Sequence, residues 1–466
     1  MDDETAIPPV MVGPRGADDG SAPSVRPRSR LSAARARRRR LYWRRRATVL
    51  AALAVVLAGV GWLFSGPGSP RLVTSSDPRP VPIHLPSLVS IVRTVTRFPG
   101  TLQPLPFPSA GQSAVYVQGI GLLGATPDEQ PAPMASVTKV MTAVVVLEDH
   151  PLGHGSGPTF TMTAADHAAW IRAVEDGDSS LEVVAGERLS ERQLLEGLMI
   201  PSACNIADYL AVWDAGSIRA FVRKMNATAD ALGLAHTHYA DASGLSPYSR
   251  STAIDQAVLG AYAMSVPGMV SIVDHAVVEF PTGPVGGYNP AIGEDGVIGL
   301  KSGFTDAAQI CLVTAARRSV DGRSVLVVSS TLGQPSSLEW AADIDLQLLD
   351  AATSDLRSRP LLRRYQPVAR VVALWSRERP VAVVTVPVMV VGWAGLPVRT
   401  VVRASIPVKP ARGRGWRSGT PVADVEVLTP AGVQSVTPAK LSLFLSSAPA
   451  GWTPPPAARL SAVSGS

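Results

Sequence analysis

An uncharged and almost wholly apolar run of 18 residues, Ala47 to Phe64, constrains this chain more than any other feature. A helix of this length lies at the lower edge of what crosses a bilayer. Arginine-rich residues Arg35 to Arg46 precede it directly, and positive flanks stay in the cytoplasm. The pattern predicts a single-pass transmembrane helix over 47–64, with a cytoplasmic N-terminus and the rest of the chain outside the cell. A cleaved signal peptide is the alternative, because small residues lie near Gly59.

The positive charge of the chain is concentrated before this run. Residues 1–46 contain 12 Arg and 5 Asp or Glu, a net charge of +7, whereas the whole chain carries +6. The remaining residues are therefore close to neutral, and they do not predict a cationic groove for nucleic acid. We expect no nucleic-acid partner.

Composition and periodicity divide the chain further. Residues 1–46 and 65–98 are rich in Pro, Ser, Gly and Arg, which predicts a disordered cytoplasmic tail and an extracytoplasmic linker. Residues 99–355 have the mixed texture of a globular domain. Short β-branched runs such as VARVVALW and PVAVVTV then predict a small β-rich domain at 365–446. The Pro-rich end, 447–466, is predicted to be disordered.

The first chemistry-bearing segment is PMASVTKVMTAVVVLED, Pro133 to Asp149. The apolar residues 140–147 predict a buried helix, with Ser136 and Lys139 at its beginning. Three residues apart on a helix, these side chains share a face, so the amine can reach the hydroxyl. A serine needs such a neighbouring base to act as a nucleophile, and burial or a nearby cation favours the neutral form of an amine. Taken alone, S-x-x-K also fits a helix cap followed by a solvated lysine.

The second segment is ERLSERQLLEGLMIPSACNIADYLA. Ser190-Glu191-Arg192-Gln193 matches a capping box, which predicts that a helix begins there. Pro201 ends that helix and leaves Ser202 on a turn before the next apolar stretch. A polar turn between two buried helices suits an active site, and an ordinary helix connection capped by Ser202 is the alternative.

The third segment is GVIGLKSGFTDAAQICLVTAARRSVDGRSVLVVSST. It predicts an antiparallel meander of three strands, at about 297–302, 310–316 and 324–330, with a turn at Asp321-Gly322. Lys301-Ser302-Gly303 ends the first strand with a cation, a hydroxyl and a residue that lets a substrate backbone approach closely. This combination suits a terminal carboxylate, and an edge lysine before a turn is the alternative.

Together and in this order, the three segments resemble the signature of penicillin-binding proteins and class A β-lactamases. The blocks PMASVTKVMTA, LMIPSACNIAD, MNATADALGLAHTHYADASGL and GLKSGFTDAAQICLVTAA further resemble the low-molecular-mass D-alanyl-D-alanine carboxypeptidase family, over residues 99–355. The resemblance implies an α+β fold of the serine β-lactamase and DD-peptidase type, with an antiparallel sheet, a helical subdomain and the active site between them. It implies neither a metal nor an organic cofactor.

By this resemblance, the chain is a serine-type D-Ala-D-Ala carboxypeptidase that trims peptidoglycan stem peptides and is acylated by β-lactams. Ser136 would form the acyl-enzyme, Lys139 would accept its proton, and Ser202 would relay a proton toward the leaving group. Lys301 and Ser302 would bind the terminal carboxylate of the substrate.

Three further residues, Gly303, Cys204 and Asn205, are expected at the substrate-binding surface. One N–H after Gly303, together with that of Ser136, would form the oxyanion hole. Ser302 stands where the family has threonine and keeps the hydroxyl. Cys204 stands at the asparagine of the family's Ser-x-Asn motif, and a thiol is a weak hydrogen-bond donor.

The cysteine motivates an alternative function, a wall- or penicillin-binding protein that keeps the cleft but lacks efficient turnover. Transpeptidation uses the same acyl-enzyme and stays open. A β-lactamase is less favoured, because no glutamate for deacylation is identified. Cys204 and Cys311 are expected to be free thiols, with a single disulfide as the alternative.

Overall fold

The computed structural model describes residues 87–92, 95–127, 130–153, 155–372, 380–405 and 418–442. The expected membrane span, the cytoplasmic tail, most of the linker and the C-terminal tail lie outside these ranges. Within them, no helix combines the length and the apolar character that crossing a membrane requires. The span at 47–64 stays a prediction.

Helices and strands alternate irregularly along the described chain, as the α+β prediction requires. The helices are α1 (Lys139–Asp149), α2 (Ala164–Glu175), α3 (Glu191–Met199), α4 (Cys204–Ala215), α5 (Ile218–Leu232), α6 (Ala253–Ala263), α7 (Met269–Val273) and α8 (Leu338–Asp355), with 3₁₀ turns at Ala135–Thr138 and Glu294–Gly296. The strands of the first half are β1 (Ser87–Ser90), β2 (Val95–Arg97), β3 (Gln112–Val117), β4 (Gly121–Ala125), β5 (Ala132–Pro133), β6 (Thr159–Thr161), β7 (Arg188–Ser190), β8 (Arg250–Ser251), β9 (Val277–Phe280) and β10 (Gly283–Gly286). Those of the second half are β11 (Val297–Thr305), β12 (Gln309–Val320), β13 (Arg323–Gln334), β14 (Arg357–Leu362), β15 (Pro367–Val372), β16 (Val381–Val384), β17 (Val388–Gly392), β18 (Pro397–Ala404), β19 (Pro421–Thr429) and β20 (Gly432–Ser442).

A five-stranded antiparallel sheet, in the order β11-β12-β13-β3-β4, carries the predicted meander. All three predicted strands are present and are longer than expected. The turn between β12 and β13 places Asp321 at φ 48° and Gly322 at φ 76°. Such a turn needs positive φ at both central residues, which Asp and Gly tolerate best, so the turn prediction is confirmed.

The two faces of this sheet belong to two cores. Along β12, Val313 and Ala315 join the cluster that contains the buried side of α1, α3, α4 and α6, whereas Leu312 and Ala316 join the cluster against α8. Alternation with a period of two follows from the pleat, which turns successive side chains to opposite faces. The S-x-x-K residues Ser136–Lys139 therefore lie on the face of the sheet that packs against α1, α3, α4 and α6. Strand β11 forms one edge of the sheet.

Local sequence signals set the ends of the helices beside that edge. At the start of α3, Ser190 accepts from the backbone of Gln193 while the Gln193 side chain accepts from the backbone of Ser190, so the predicted capping box is confirmed. The helix ends at Met199, before Pro201. Cys311 is fully buried in β12, and it and Cys204 are free thiols, as predicted.

A second, seven-stranded sheet follows the order β1-β15-β16-β20-β19-β18-β2. Strands occur at the predicted β-branched runs between 365 and 446, and the organisation of this region as a domain of its own stays a prediction. The end of the expected linker differs from the prediction, because β1 pairs with β15 and β2 pairs with β18. Segments this short carry too few residues for periodicity to reveal a strand, and their pairing depends on partners about 280 to 300 residues away.

A fully buried carboxylate, that of Asp345, joins α8 to the five-stranded sheet. It accepts hydrogen bonds from Thr314 Oγ1 at 2.6 Å, Ser329 Oγ at 2.7 Å and Thr331 Oγ1 at 2.6 Å. Burial raises the pKa of Asp345 to about 6, although the three hydroxyl donors act in the opposite direction. Removal from water disfavours the charged form of a carboxylate, so the folded state holds this proton more tightly than an unfolded chain does.

We expect Asp345→Asn to remove a pH dependence from the stability of the fold. The pKa of Asp345 is about 6 in the folded protein and about 3.9 in an unfolded chain. Its stabilising contribution is therefore complete below the unfolded value and is lost as the pH rises through about 6. Urea denaturation should show the free energy of unfolding of the natural chain falling, relative to the variant, over that interval.

The exposed Asp343 on the same helix provides the control, and Asp343→Asn should leave the pH dependence as it is in the natural chain. If the free energies of unfolding of the natural chain and of Asp345→Asn differ by the same amount at every pH, the prediction is wrong.

Candidate active site

The 3₁₀ turn Ala135–Thr138 runs directly into α1 and brings Ser136 and Lys139 together. A 3₁₀ helix has three residues per turn, so side chains three apart lie above one another. Lys139 Nζ lies 2.9 Å from Ser136 Oγ. Lys139 is completely buried, whereas Ser136 is partly exposed. The pair thus has the geometry of a nucleophile with an adjacent base, as the sequence predicted.

Two further groups hold the Lys139 amine. Its Nζ donates to the backbone carbonyl of Ser243 at 2.7 Å and to the thiol sulfur of Cys204 at 3.4 Å. The sulfur is a weak acceptor. The Ser243 carbonyl is therefore the strong hydrogen-bond acceptor that fixes the amine opposite the nucleophile.

The turn between α3 and α4 carries Ser202 to the same place. Ser202 has φ 65°, in the left-handed region that a non-glycine residue adopts only at a cost of about 1–2 kcal/mol. Its hydroxyl is buried and has no hydrogen-bond partner among the described residues. A strained backbone and an unpaired buried hydroxyl are features of a functional position.

Strand β11 forms the opposite wall of the site. Lys301, Ser302 and Gly303 are all buried, and Lys301 Nζ donates to the Ser302 carbonyl at 2.9 Å. Burial, together with the nearby Lys139, lowers the pKa of Lys301 well below its ordinary value. A β-carbon on Gly303 would lie 2.7 Å from Ser136 N. Only glycine lets the strand approach the 3₁₀ turn Ala135–Thr138, here called the nucleophile turn, this closely.

These elements enclose one cleft, a cavity of about 500 Å³. Five of the predicted site residues line it: Ser136, Ser202, Cys204, Ser302 and Gly303. The larger side chains of Leu245, Tyr288 and Phe304 form its rim. Lys139 and Lys301 are buried beside it. The cleft therefore joins the Ser136 hydroxyl and its neighbouring lysine amine with two further hydroxyls and a second amine, a set of groups that nucleophilic catalysis can use.

Cys204 and Asn205 face different ways from the first turn of α4. Burial raises the pKa of the Cys204 thiol, with Lys139 acting in the opposite direction, so the thiol keeps its proton at neutral pH. The Asn205 amide hydrogen-bonds both backbone groups of Leu181, at 3.0 and 2.9 Å, and lines a neighbouring cavity. The structure does not bring the predicted substrate-binding Asn205 together with Ser136, because adjacent helical residues point about 100° apart.

Sequence reasoning missed the segment Asp241–Ser249, which supplies the Ser243 carbonyl. The letters D-A-S-G carried a usable signal, because Asp and Ser side chains bind nearby backbone N–H groups and Gly permits tight turns. The block belongs to the family resemblance, which implies no role for any residue in it.

Three comparisons bear on this site. Residues 115–333 match the model of a family described as D-alanyl-D-alanine carboxypeptidase. The chain is 31% identical over 222 residues to a D-alanyl-D-alanine carboxypeptidase of a Streptomyces species, covering 42% of this chain and 72% of that protein. It is 27% identical over 281 residues to D-alanyl-D-alanine carboxypeptidase DacF of Bacillus subtilis, covering 56% of this chain and 66% of that protein. The chain thus spans about two thirds of the length of these relatives.

Solved structures agree on the fold. Penicillin binding protein 5 from Haemophilus influenzae superposes with a TM-score of 0.55 and 20% identity, over 73% of this chain and 98% of that chain. Penicillin binding protein 6B from Escherichia coli gives a TM-score of 0.52 and 22% identity, over 74% and 98%. The predicted fold of the DD-peptidase part is confirmed by these likenesses.

We expect Gly303→Ala to slow covalent labelling by a fluorescent penicillin about a hundredfold, which is the effect of losing one oxyanion donor, the role that the family resemblance predicts for the Ser136 N–H. The added methyl would press on Ser136 N at 2.7 Å and on the Ala135 β-carbon at 3.1 Å. Gly286→Ala is the matched control, because the nearest atom to its new β-carbon lies 4.0 Å away. Stopped-flow fluorescence measures the rate. Equal rates for the two variants would show that the strand has room to move.

Proposed function

This chain belongs to the D-alanyl-D-alanine carboxypeptidase family of hydrolases, and we propose that it removes the terminal D-Ala from peptidoglycan stem peptides through an acyl-enzyme on Ser136. The observation that carries the proposal is the 2.9 Å contact between Lys139 Nζ and Ser136 Oγ. It occurs in a cleft that also presents Ser202 and Ser302. β-Lactams would acylate the same serine.

In the acylation step, Ser136 Oγ attacks the carbonyl carbon of the D-Ala–D-Ala bond and its proton passes to Lys139 Nζ. The Ser202 hydroxyl, which has no partner among the described side chains, hands a proton to the leaving nitrogen and takes one back from Lys139, so the proton of Ser136 ends on the released D-Ala and Lys139 is neutral again. Breaking the C–N bond releases D-Ala and leaves an ester on Ser136. Water then attacks the ester carbonyl, the bond from the acyl carbon to Ser136 Oγ breaks, the shortened stem peptide leaves with a new terminal carboxyl group, and a proton of the water restores the serine hydroxyl.

The terminal carboxylate of the substrate is assigned to Lys301 and Ser302. Burial and the neighbouring Lys139 lower the pKa of Lys301, so both favour the neutral form of its amine. A bound carboxylate is an opposite charge and shifts that equilibrium back toward the ammonium. Substrate binding and protonation of Lys301 are therefore coupled in this proposal. The oxyanion hole, which would bind the oxygen of the attacked carbonyl, is assigned to two backbone N–H groups. One is that of Ser136 and the other comes from β11 after Gly303.

We also propose that the enzyme is held at the cell membrane with its active site outside the cytoplasm. The apolar run 47–64 and the arginines before it support this topology. This topology would place the cleft outside the cytoplasm, on the side of the membrane where peptidoglycan lies.

We expect Ser136→Ala to abolish covalent labelling by fluorescent penicillin and to lower D-Ala release about a thousandfold or more, because the variant has no nucleophile. Labelling is read from a denaturing gel, and D-Ala release from a coupled oxidase assay, both on the 466-residue chain. Ser265→Ala, a serine on the α6–α7 connection outside the residues that line the cleft, should behave like the natural chain. Folded natural protein that is never labelled would refute the acyl-enzyme.

The alternative function, a cleft that binds D-Ala-terminated peptides without efficient turnover, is favoured by one observation. The group next to Lys139 is the weak thiol of Cys204, at 3.4 Å, where the family has an amide. A transpeptidase would share the acyl-enzyme and differ in the acceptor.

We expect Cys204→Asn to increase the rate of D-Ala release about tenfold, because an amide oxygen accepts a hydrogen bond from the Lys139 amine more strongly than a thiol sulfur does. Cys311→Ala, at a buried thiol in β12, controls for loss of a cysteine elsewhere. Efficient release by the natural chain, unchanged by Cys204→Asn, would eliminate the impaired alternative. Peptide binding without release by the natural chain would support it.

A further inference from the structure

A single carboxylate, that of Asp241, organises the loop from Asp241 to Ser249, which we call the Asp241 loop. Both of its oxygens accept hydrogen bonds from the loop itself. The donors are Ser243 Oγ at 2.8 Å, Gly244 N at 2.7 Å, Leu245 N at 2.9 Å, Ser246 N at 3.3 Å and Ser249 Oγ. Convergence of backbone N–H groups on one charged acceptor gives strong hydrogen bonds, so Asp241 sets the course of the loop.

The Asp241 loop is attached to α1 through two successive carbonyls. Lys139 Nζ donates to the Ser243 carbonyl and Thr142 Oγ1 donates to the Ala242 carbonyl, each at 2.7 Å. Lys139 and Thr142 are both completely buried. They are three residues apart and lie on one face of α1, so a shift of the loop moves both contacts together.

The same loop also packs against the turn that carries the nucleophile. Gly244 has φ 87°, and a β-carbon there would lie 1.9 Å from the Ala135 carbonyl oxygen. Ala135 itself has φ 49°, a left-handed conformation that costs a non-glycine residue about 1–2 kcal/mol. The loop therefore supports a strained turn directly before Ser136.

The lysine amine needs this support more than its short distance to Ser136 suggests. To accept a proton, Nζ must direct its lone pair at Ser136 Oγ, so its remaining hydrogen-bond partners decide its orientation. Those partners in the described structure are the thiol of Cys204, a weak acceptor, and the Ser243 carbonyl, a strong one.

We propose that Asp241 is a positioning residue for the acylation of Ser136, acting through the Ser243 carbonyl and Gly244 on Lys139 and the nucleophile turn. This inference rests on the proposed function. Asp241 does not touch the reacting atoms. Its loss should lower the rate of acylation and kcat and leave KM nearly unchanged, because Lys301 and Ser302 on β11 still bind the carboxylate.

Asp255 offers a matched control. Its carboxylate also braces a loop, accepting from His236 N and Thr237 Oγ1, each at 2.8 Å, and it is nearly buried at the start of α6. The groups that it holds are not contacts of Lys139. Variants of Asp241 and Asp255 therefore test two carboxylates that each brace a loop. Only the loop of Asp241 contacts Lys139.

The experiment measures three properties of the 466-residue chain: the acylation rate with fluorescent penicillin, kcat and KM for D-Ala release, and the thermal midpoint. We expect Asp241→Ala to lower acylation and kcat about a hundredfold with KM within about twofold. Asp255→Ala should lower the thermal midpoint comparably and keep acylation within about threefold. Asp241→Asn retains one acceptor oxygen and should recover at least about a tenth of the natural rate.

Thr142→Val gives a second, milder test that leaves the carboxylate in place, and it serves if Asp241→Ala fails to fold. It removes the contact to the Ala242 carbonyl and should slow acylation about three- to tenfold. Natural rates in folded Asp241→Ala or, failing that, in Thr142→Val would overturn the inference, as would an equal loss in Asp255→Ala. A natural chain that is never acylated would overturn the proposed function as well.

Discussion

The burial of the Lys139 amine is the constraint on which the site depends. A lysine without exposed surface must find its hydrogen-bond partners inside the protein, because a buried polar group left unpaired costs about 1–3 kcal/mol. Here the partners come from three separate segments: the nucleophile turn, the first residue of α4 and the Asp241 loop. Satisfying one amine therefore fixes the relative positions of all three.

The conformations of the surrounding backbone are consistent with this constraint. Ala135 and Ser202 are both at positive φ; the first lies directly before the S-x-x-K motif and the second begins the second motif. Isolated segments would not hold such conformations, because each is less stable than an ordinary one. The nearly continuous buried face of α1 and the capped helix α3 anchor them. The core on the helical side thus stabilises the geometry that the chemistry needs.

Local patterns predicted much of this structure. The Asp-Gly turn, the Ser190–Gln193 capping box and the pairing of Ser136 with Lys139 follow from residues close in sequence, and the family resemblance is confirmed. The attachment of β1 and β2 to the second sheet and the contact of Ser243 with Lys139 join residues about 100 to 300 positions apart. Neither periodicity nor turn chemistry encodes such pairings, which depend on how the whole fold closes.

The cysteine at position 204 changes how the site is held together. With an asparagine there, a side-chain amide would share the work of orienting the amine with the Ser243 carbonyl. A thiol 3.4 Å away contributes little, so the carbonyl becomes the main determinant of where Nζ points. A backbone carbonyl can orient the amine only if its own segment is held in place, and one carboxylate holds the Asp241 loop by accepting from its successive N–H groups. A weaker second motif therefore makes the site more dependent on a loop outside all three motifs.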